Sequence, residues 1–340
     1  MFNQPGLEVV PGSVATIVNA TSPGSAGVEY GYEDGSVVRV GNVTHMLVSE
    51  MIAPPYTVKM RLAHWTTSKL SGGSGWSRIG TLMVDGIPMI STANCSSSDH
   101  LAAMWSPVAF FEGGTWYMHY VGYDCGPRPN VNGDIKLTRS VQPGLTGIGG
   151  PYTSVGVLLQ QGAASQAWEG LQGVDSFFAF KASVGKAGGL GGGGHDSSGG
   201  LLAFYGSSPW GWPWNVGLAH SLSGSIEGPW ERLASGNPLN LSQGHTENPI
   251  VLATSRPHDG MRVLLMFHDY VLQNAIGFGF SWSLDGRNWS SSVKVSVPGG
   301  CEAPLAVLPS LVEEGGLTVW YSKRGSFSRL YAAQLRLTWQ

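Results

Sequence analysis

Cysteine and charge are both scarce in this chain, and each shortage excludes something. Cys95, Cys125 and Cys301 are the three cysteines in 340 residues, and no two stand in a CxxC spacing. A structural zinc site built on paired thiolates is therefore not expected. Cys95 and Cys125 flank one run of predicted strands and could pair. Charged residues make up 12% of the chain, the net charge is -3, and no basic run occurs. Neither a nucleic acid nor a membrane surface is an expected partner. Apolar runs end at about one strand's length, far short of the roughly 20 residues a spanning helix needs. Long helical periodicity is missing. The opening MFNQPGLEVVPGS shows no basic n-region and no apolar h-region, so no signal peptide is read there. There is no G-x-S-x-G elbow and no HExxH, which speaks against an α/β-hydrolase and a zincin.

What is abundant points to strands and turns. The chain holds 50 Gly and 20 Pro and is 42% hydrophobic, enough for a sizeable core. The glycines have no three-residue period, so collagen is excluded. With many Thr, Ser, Val, Trp and Tyr residues, they suit short strands joined by tight turns. Five N-x-S/T sequons (Asn19, Asn42, Asn94, Asn240, Asn288) favour an extracellular or secretory setting.

The clearest stretch is HTENPIVLATSRPHDGMRVLLMFHD, His245 to Asp269. A polar start leads through Asn248-Pro249 into a short apolar strand, a turn, and a second apolar strand. The same pattern recurs around 35, 105, 175, 247 and 303. Each unit reads as an apolar strand A, a Gly-rich turn, an aromatic-rich strand B, a strand C ending in small residues, and a Gly-aromatic step into strand D. Five such units in residues 1–340 predict one all-β domain, a five-bladed β-propeller with blades of about four antiparallel strands. The last unit lacks a strand D. The β-rich Leu7–Ile17 segment is expected to supply it and close the ring, which also removes sheet edges. The Gly185–Gly200 run reads as a loop inside the third unit.

In a propeller the A strands line a central channel, and their starts converge at one mouth. Three starts carry an acid: Asp34, Asp175 and Glu247. Such acids are either turn and strand caps or a converging carboxylate set. Converging carboxylates suit glycosidic-bond cleavage, in which one carboxylic acid protonates the leaving oxygen and one carboxylate activates water. A third raises the acid's pKa by like-charge repulsion.

The blade-two text MWSPVAFFEGGTWYMHYVGYD and the phrases AHSLSGSIEGPWERL and TRSVQPGLTGIGGPY resemble elements of the five-bladed propeller glycoside hydrolases, above all family 43 (arabinanases, arabinofuranosidases and β-xylosidases). The resemblance runs from about Gly31 to Leu337. It implies Asp34 as general base, Asp175 as pKa modulator and Glu247 as general acid, with inversion of anomeric configuration. Departures are visible. Asp34 and Asp175 are followed by Gly35 and Ser176 where the family has Pro, and blade four reads Glu-Asn-Pro instead of Glu-Gly-Pro. Glu33 beside Asp34 leaves the base open, although strict alternation would let only one face the channel. No blade-five histidine is found; Cys301 and Glu302 stand there. No cofactor is therefore expected, and a calcium ion in the central channel has no support in the sequence.

Topology assigns further residues to the same mouth: Tyr123, Asp124 and Arg128; Trp210, Trp212 and Trp214; His268, Asp269, Gln273 and Asn274; Lys323 and Arg324. Indoles stack on the C–H faces of sugars, and amides, carboxylates and guanidinium groups pair with their hydroxyls. The alternative for the three Trp residues is inter-blade packing, for Trp105 it is core or channel packing, and for His268 a polar loop role. DGRNW at Asp285–Trp289 resembles an Asp-box turn and reads as a tight turn before strand D. The chain is thus expected to act as a monomeric glycosidase on a poly- or oligosaccharide. A carbohydrate-binding propeller without catalysis is the second reading, and a structural or interaction propeller the third.

Overall fold

The computed structural model describes the chain except residues 1–3, 55–56, 58, 70–74, 92–102, 125–130, 182–199, 210–212, 242–244, 271–276, 302–303, 313–314 and 324–325. Five antiparallel sheets follow one another in sequence. Blade one runs Gly31–Val40, Val43–Met51, Met60–Thr67 and Ser77–Thr81. Blade two runs Met104–Glu112, Thr115–Asp124, Val131–Ser140 and Tyr152–Leu159. Blade three is Ser176–Lys181, Leu201–Ser207, Asn215–Ser221 and Trp230–Arg232. Blade four is Ile250–Ser255, Arg262–Asp269, Phe278–Ser283 and Val293–Val295. Blade five is Pro304–Pro309, Gly316–Lys323 and Ser326–Trp339. Its fourth strand is Pro5–Val9, which pairs antiparallel with Trp339 back to Leu335, and Ala15–Val18 pairs with the start of the same long strand. The ring closes as the sequence predicts.

Turn chemistry sets the hairpins. Gly113 and Gly114 sit at φ 58° and 80°, the left-handed pair a two-residue hairpin turn requires. In the DGRNW turn, Asp285 Oδ1 accepts from the backbone N–H groups of Arg287 (2.8 Å) and Asn288 (2.7 Å). Trp289 then donates its indole N–H to the Gly286 carbonyl at 3.0 Å.

Blade two departs from the four-strand expectation. A short hairpin, Met83–Val84 and Ile87–Pro88, lies outside its fourth strand and makes a six-stranded sheet. Strands of two residues carry no hydrophobic period, so nothing in the sequence announces them.

Alternating side chains of each sheet pack against the next blade, and the described core divides accordingly. One apolar cluster joins blades one and two (Leu47, Met118), one joins two and three (Ile135, Ala203), and one joins three and four (Phe204, Met266). Two more join four and five (Phe267, Val319) and five and one (Trp320, Trp65). Each junction excludes water and fixes the angle between neighbouring inner strands, which is what converges their starts on one mouth.

Candidate active site

The inner strands do not begin as regular strands. Glu33 pairs with Ser49 and Gly35 with Val48, so Asp34 is the extra residue of a β-bulge. Asp34 has φ 40°, Ser106 at the start of blade two has φ 53°, and Asn248 at the start of blade four has φ 52°. Left-handed backbone is rare for residues other than Gly, and Asp and Asn are the side chains that tolerate it best. Its recurrence at three inner-strand starts makes it a built feature of the mouth. The strict alternation expected between Glu33 and Asp34 does not hold, because the bulge interrupts it. Matched by their left-handed residues, the starts place Asp34 with Asn248, and Glu247 with Glu33 and Trp105. The three acids are therefore not in one backbone register, although their side chains gather at the same mouth.

Asp34 is buried (4% exposed). Its Oδ2 accepts the indole N–H of Trp105 from blade two, and its Oδ1 accepts the Asn248 Nδ2–H from blade four at 3.3 Å. Two donors from two different blades thus converge on one carboxylate. Asn248 Nδ2 also lies 3.4 Å from Asp269 Oδ2. Asp269 ends the second strand of blade four, and its backbone N–H donates to the Glu247 carbonyl at 2.8 Å.

On the other side, Asp175 faces Glu247. Burial, and then the charge and hydrogen bond of Glu247, push the Asp175 carboxyl well above the usual carboxylate range, while His245 opposes this. Like charges held this close disfavour double ionisation, so the two groups titrate as a pair. Glu247 is the more open of the two: its side chain is 16% exposed, against 8% for Asp175 as a residue. His245 Nε2 meets Glu247 Oε2 at 2.8 Å, and its ring stands edge-on to Trp214. Ligand atoms of His245, Glu247 and Asp269 lie within 4.8 Å of one another, a donor set compact enough to share one cation.

Of the proposed sugar contacts, Trp105 is a partner of Asp34, and Trp214 is buried against His245. His268 is wholly buried: one ring nitrogen meets the Asp269 carbonyl and the other Ser292 Oγ, and burial holds its pKa down to about 4. With both nitrogens engaged it packs the second strand and faces no substrate. Tyr123 is buried in the junction of blades two and three. Asp124 ends its strand, with its side chain outside the described set. Arg128, Trp210, Trp212, Gln273, Asn274 and Arg324 also lie outside the described residues, as do Cys95, Cys125 and the Gly188–Gly194 loop. Cys301 is buried in the junction of blades four and five. Below the mouth the channel turns apolar, lined by Val37, Phe177, Ile250 and Leu305.

Sequence reasoning passed over His245 and took Asn248 only as a departure from a pattern. The signals existed: His245 and Glu247 are two apart, which puts both on one face of an extended chain, and Asn before Pro at a strand start marks a turn.

No protein-family model matches the chain, and no curated protein matches it by sequence. Solved structures do. A family 117 glycoside hydrolase, Zg3597, from the marine bacterium Zobellia galactanivorans, aligns over 99% of this chain and 90% of its own at 12% identity, TM-score 0.58. The endo-arabinase of Bacteroides thetaiotaomicron aligns over 94% and 96% at 14% identity, TM-score 0.53. The arabinanase Arb43A of Bacillus subtilis aligns over 90% and 94% at 12% identity, TM-score 0.52. In fold, this chain is a five-bladed β-propeller of the kind found in the family 43 and family 117 glycoside hydrolases.

Proposed function

We propose that the chain is a glycoside hydrolase that cleaves a poly- or oligosaccharide by carboxylate acid/base catalysis with inversion. The observation that carries this reading is the division of the mouth into two electrostatic halves. On one side burial and Glu247 push the Asp175 carboxyl above the usual range, and on the other Asp34 is held by two hydrogen-bond donors. Glu247, the more open member of its pair, delivers the proton to the leaving oxygen. Asp175 sits behind it and opposes double ionisation of the pair. Asp34 takes the proton of the attacking water. Inversion asks for carboxyls about 6.5–9.5 Å apart with water between them.

The test is turnover of aryl-glycosides and of arabinan- and xylan-type oligosaccharides, with the anomer of the first-formed product read by NMR. Glu247→Gln and Asp34→Asn are each expected to lower kcat by roughly 10²–10⁴-fold, with the circular dichroism spectrum unchanged. Normal turnover by either variant removes the assignment. One observation favours a second reading, a sugar-binding propeller without catalysis: Asp34 is 4% exposed, leaving little of its carboxylate open to water. Glycan binding without turnover selects that reading.

A further inference from the structure

We propose that Asn248 is a positioning residue that sets the spacing between the base and acid halves of the mouth; the inference rests on the hydrolase reading above. Three observations converge on it. First, Asn248 follows Glu247 directly and takes a left-handed backbone, φ 52°, before Pro249. That turn decides the direction in which the Glu247 side chain leaves the strand. Second, its Nδ2 reaches two carboxylates on two blades, Asp34 Oδ1 at 3.3 Å and Asp269 Oδ2 at 3.4 Å. Third, its Oδ1 is buried with no hydrogen-bond partner in the described structure. An amide turned the other way would aim that oxygen at two carboxylates, so the nitrogen must face them. One short side chain thus joins Asp34 of blade one to Asp269 of blade four. Asp269 in turn donates its backbone N–H to the carbonyl of Glu247 at 2.8 Å.

The consequence is specific to Asn. Gly would satisfy the backbone and contribute no amide. Ala or Leu would meet the left-handed penalty and contribute none either. Asp would tolerate the backbone but set a third carboxylate against Asp34 and Asp269. Only Asn combines left-handed tolerance with a two-proton donor of this length.

Asn248→Gly separates the two roles. The backbone is kept, so melting temperature and KM should stay at wild-type values. The reacting groups lose their spacer, and kcat should fall by roughly 10–100-fold, the scale set by misplacements of about 1 Å. Asn248→Asp should lose at least as much kcat. A wild-type kcat in Asn248→Gly overturns the inference while leaving the hydrolase reading intact.

If the wild-type protein turns over no substrate, the hydrolase reading fails, and a second measurement still decides the hydrogen bond. The Asp34 carboxyl is followed by ¹³C NMR titration in wild-type protein and in Asn248→Gly. Among the described residues, Trp105 from blade two and Asn248 from blade four donate to Asp34, Asp269 lies beyond Asn248, Glu33 is its chain neighbour, and the Asp175–Glu247 pair belongs to blades three and four. Loss of the amide donor should move the Asp34 midpoint upward. An unmoved midpoint overturns the proposed contact.

Discussion

Glu50 and Asp175 are both buried carboxylates in this propeller, and their surroundings are opposite. Glu50, in the second strand of blade one, is fully buried. It receives Arg61 Nε at 2.5 Å, Arg78 Nε at 2.9 Å and the Trp65 indole N–H at 2.8 Å. Glu169 repeats the device beside blade three, with Arg232 Nε at 2.7 Å and the Tyr205 hydroxyl at 2.9 Å. Asp175 meets another carboxyl, Glu247, with His245 as the compensating group nearby. Burial of a charge is tolerated where guanidinium groups and further donors satisfy it. Where a second acid takes their place, ionisation of both is opposed. The first arrangement ties outer strands of a blade to its middle. The second raises the Asp175 carboxyl above its ordinary range at the mouth of the channel. The difference separates a carboxylate held by its guanidinium partners from one whose ionisation its neighbours oppose.

The largest effect should come from breaking the scaffold side. Glu50→Gln leaves Arg61 and Arg78 without their carboxylate. Removing one partner of a buried ion pair costs about 3–5 kcal/mol, and urea unfolding should show that loss in its midpoint. The same isosteric change at the mouth, Asp175→Asn, should not destabilise in this way. A carboxyl whose folded pKa is raised binds an extra proton in the folded state. Its contribution is complete below its unfolded value of about 4 and is lost as pH rises through the folded value. Asn does not ionise and escapes that loss. Asp175→Asn should therefore gain stability relative to wild type as pH rises above about 4, and the gain should shrink towards acid pH. Its kcat should fall by roughly 10²-fold. A variant that is equally destabilised at acid and at neutral pH would place Asp175 with Glu50 as a scaffold residue.

Much of the fold behind this contrast is legible in the sequence, although Glu50 itself is not. The five units stood out because turn glycines and aromatic second strands recur at nearly constant spacing, and ring closure by Leu7–Ile17 followed from a missing fourth strand. The expectation that Asp34, Asp175 and Glu247 converge came from topology, which places the inner-strand starts at one mouth but not their register. What escaped was local backbone geometry. A strand read as regular predicts alternation, and Glu33-Asp34-Gly35 breaks it. The hint was the glycine: a Cβ on Gly35 would lie 2.1 Å from the Leu47 carbonyl oxygen, so only Gly lets the bulge close. The Arg partners of Glu50 also escaped, because Arg61 and Arg78 come from the third and fourth strands and meet Glu50 only after the sheet has formed.

The smallest and sharpest effect should lie on the base side. Trp105→Phe keeps an aromatic ring of similar position and deletes the N–H that Asp34 Oδ2 accepts. A hydrogen bond to a charged group contributes about 1.5–3 kcal/mol, but here Asn248 still donates to the other oxygen of Asp34. The remaining donor limits the damage, so kcat should fall about 10-fold at the optimum. Losing a donor to the ionised form makes Asp34 easier to protonate, so the acid limb of the pH–rate profile should move to higher pH while the alkaline limb stays in place. Glu50→Gln, on the scaffold side, should move neither limb. If Trp105→Phe shifts the alkaline limb instead, the indole acts on the Asp175–Glu247 pair, and the division of the mouth into a base half and an acid half is drawn in the wrong place.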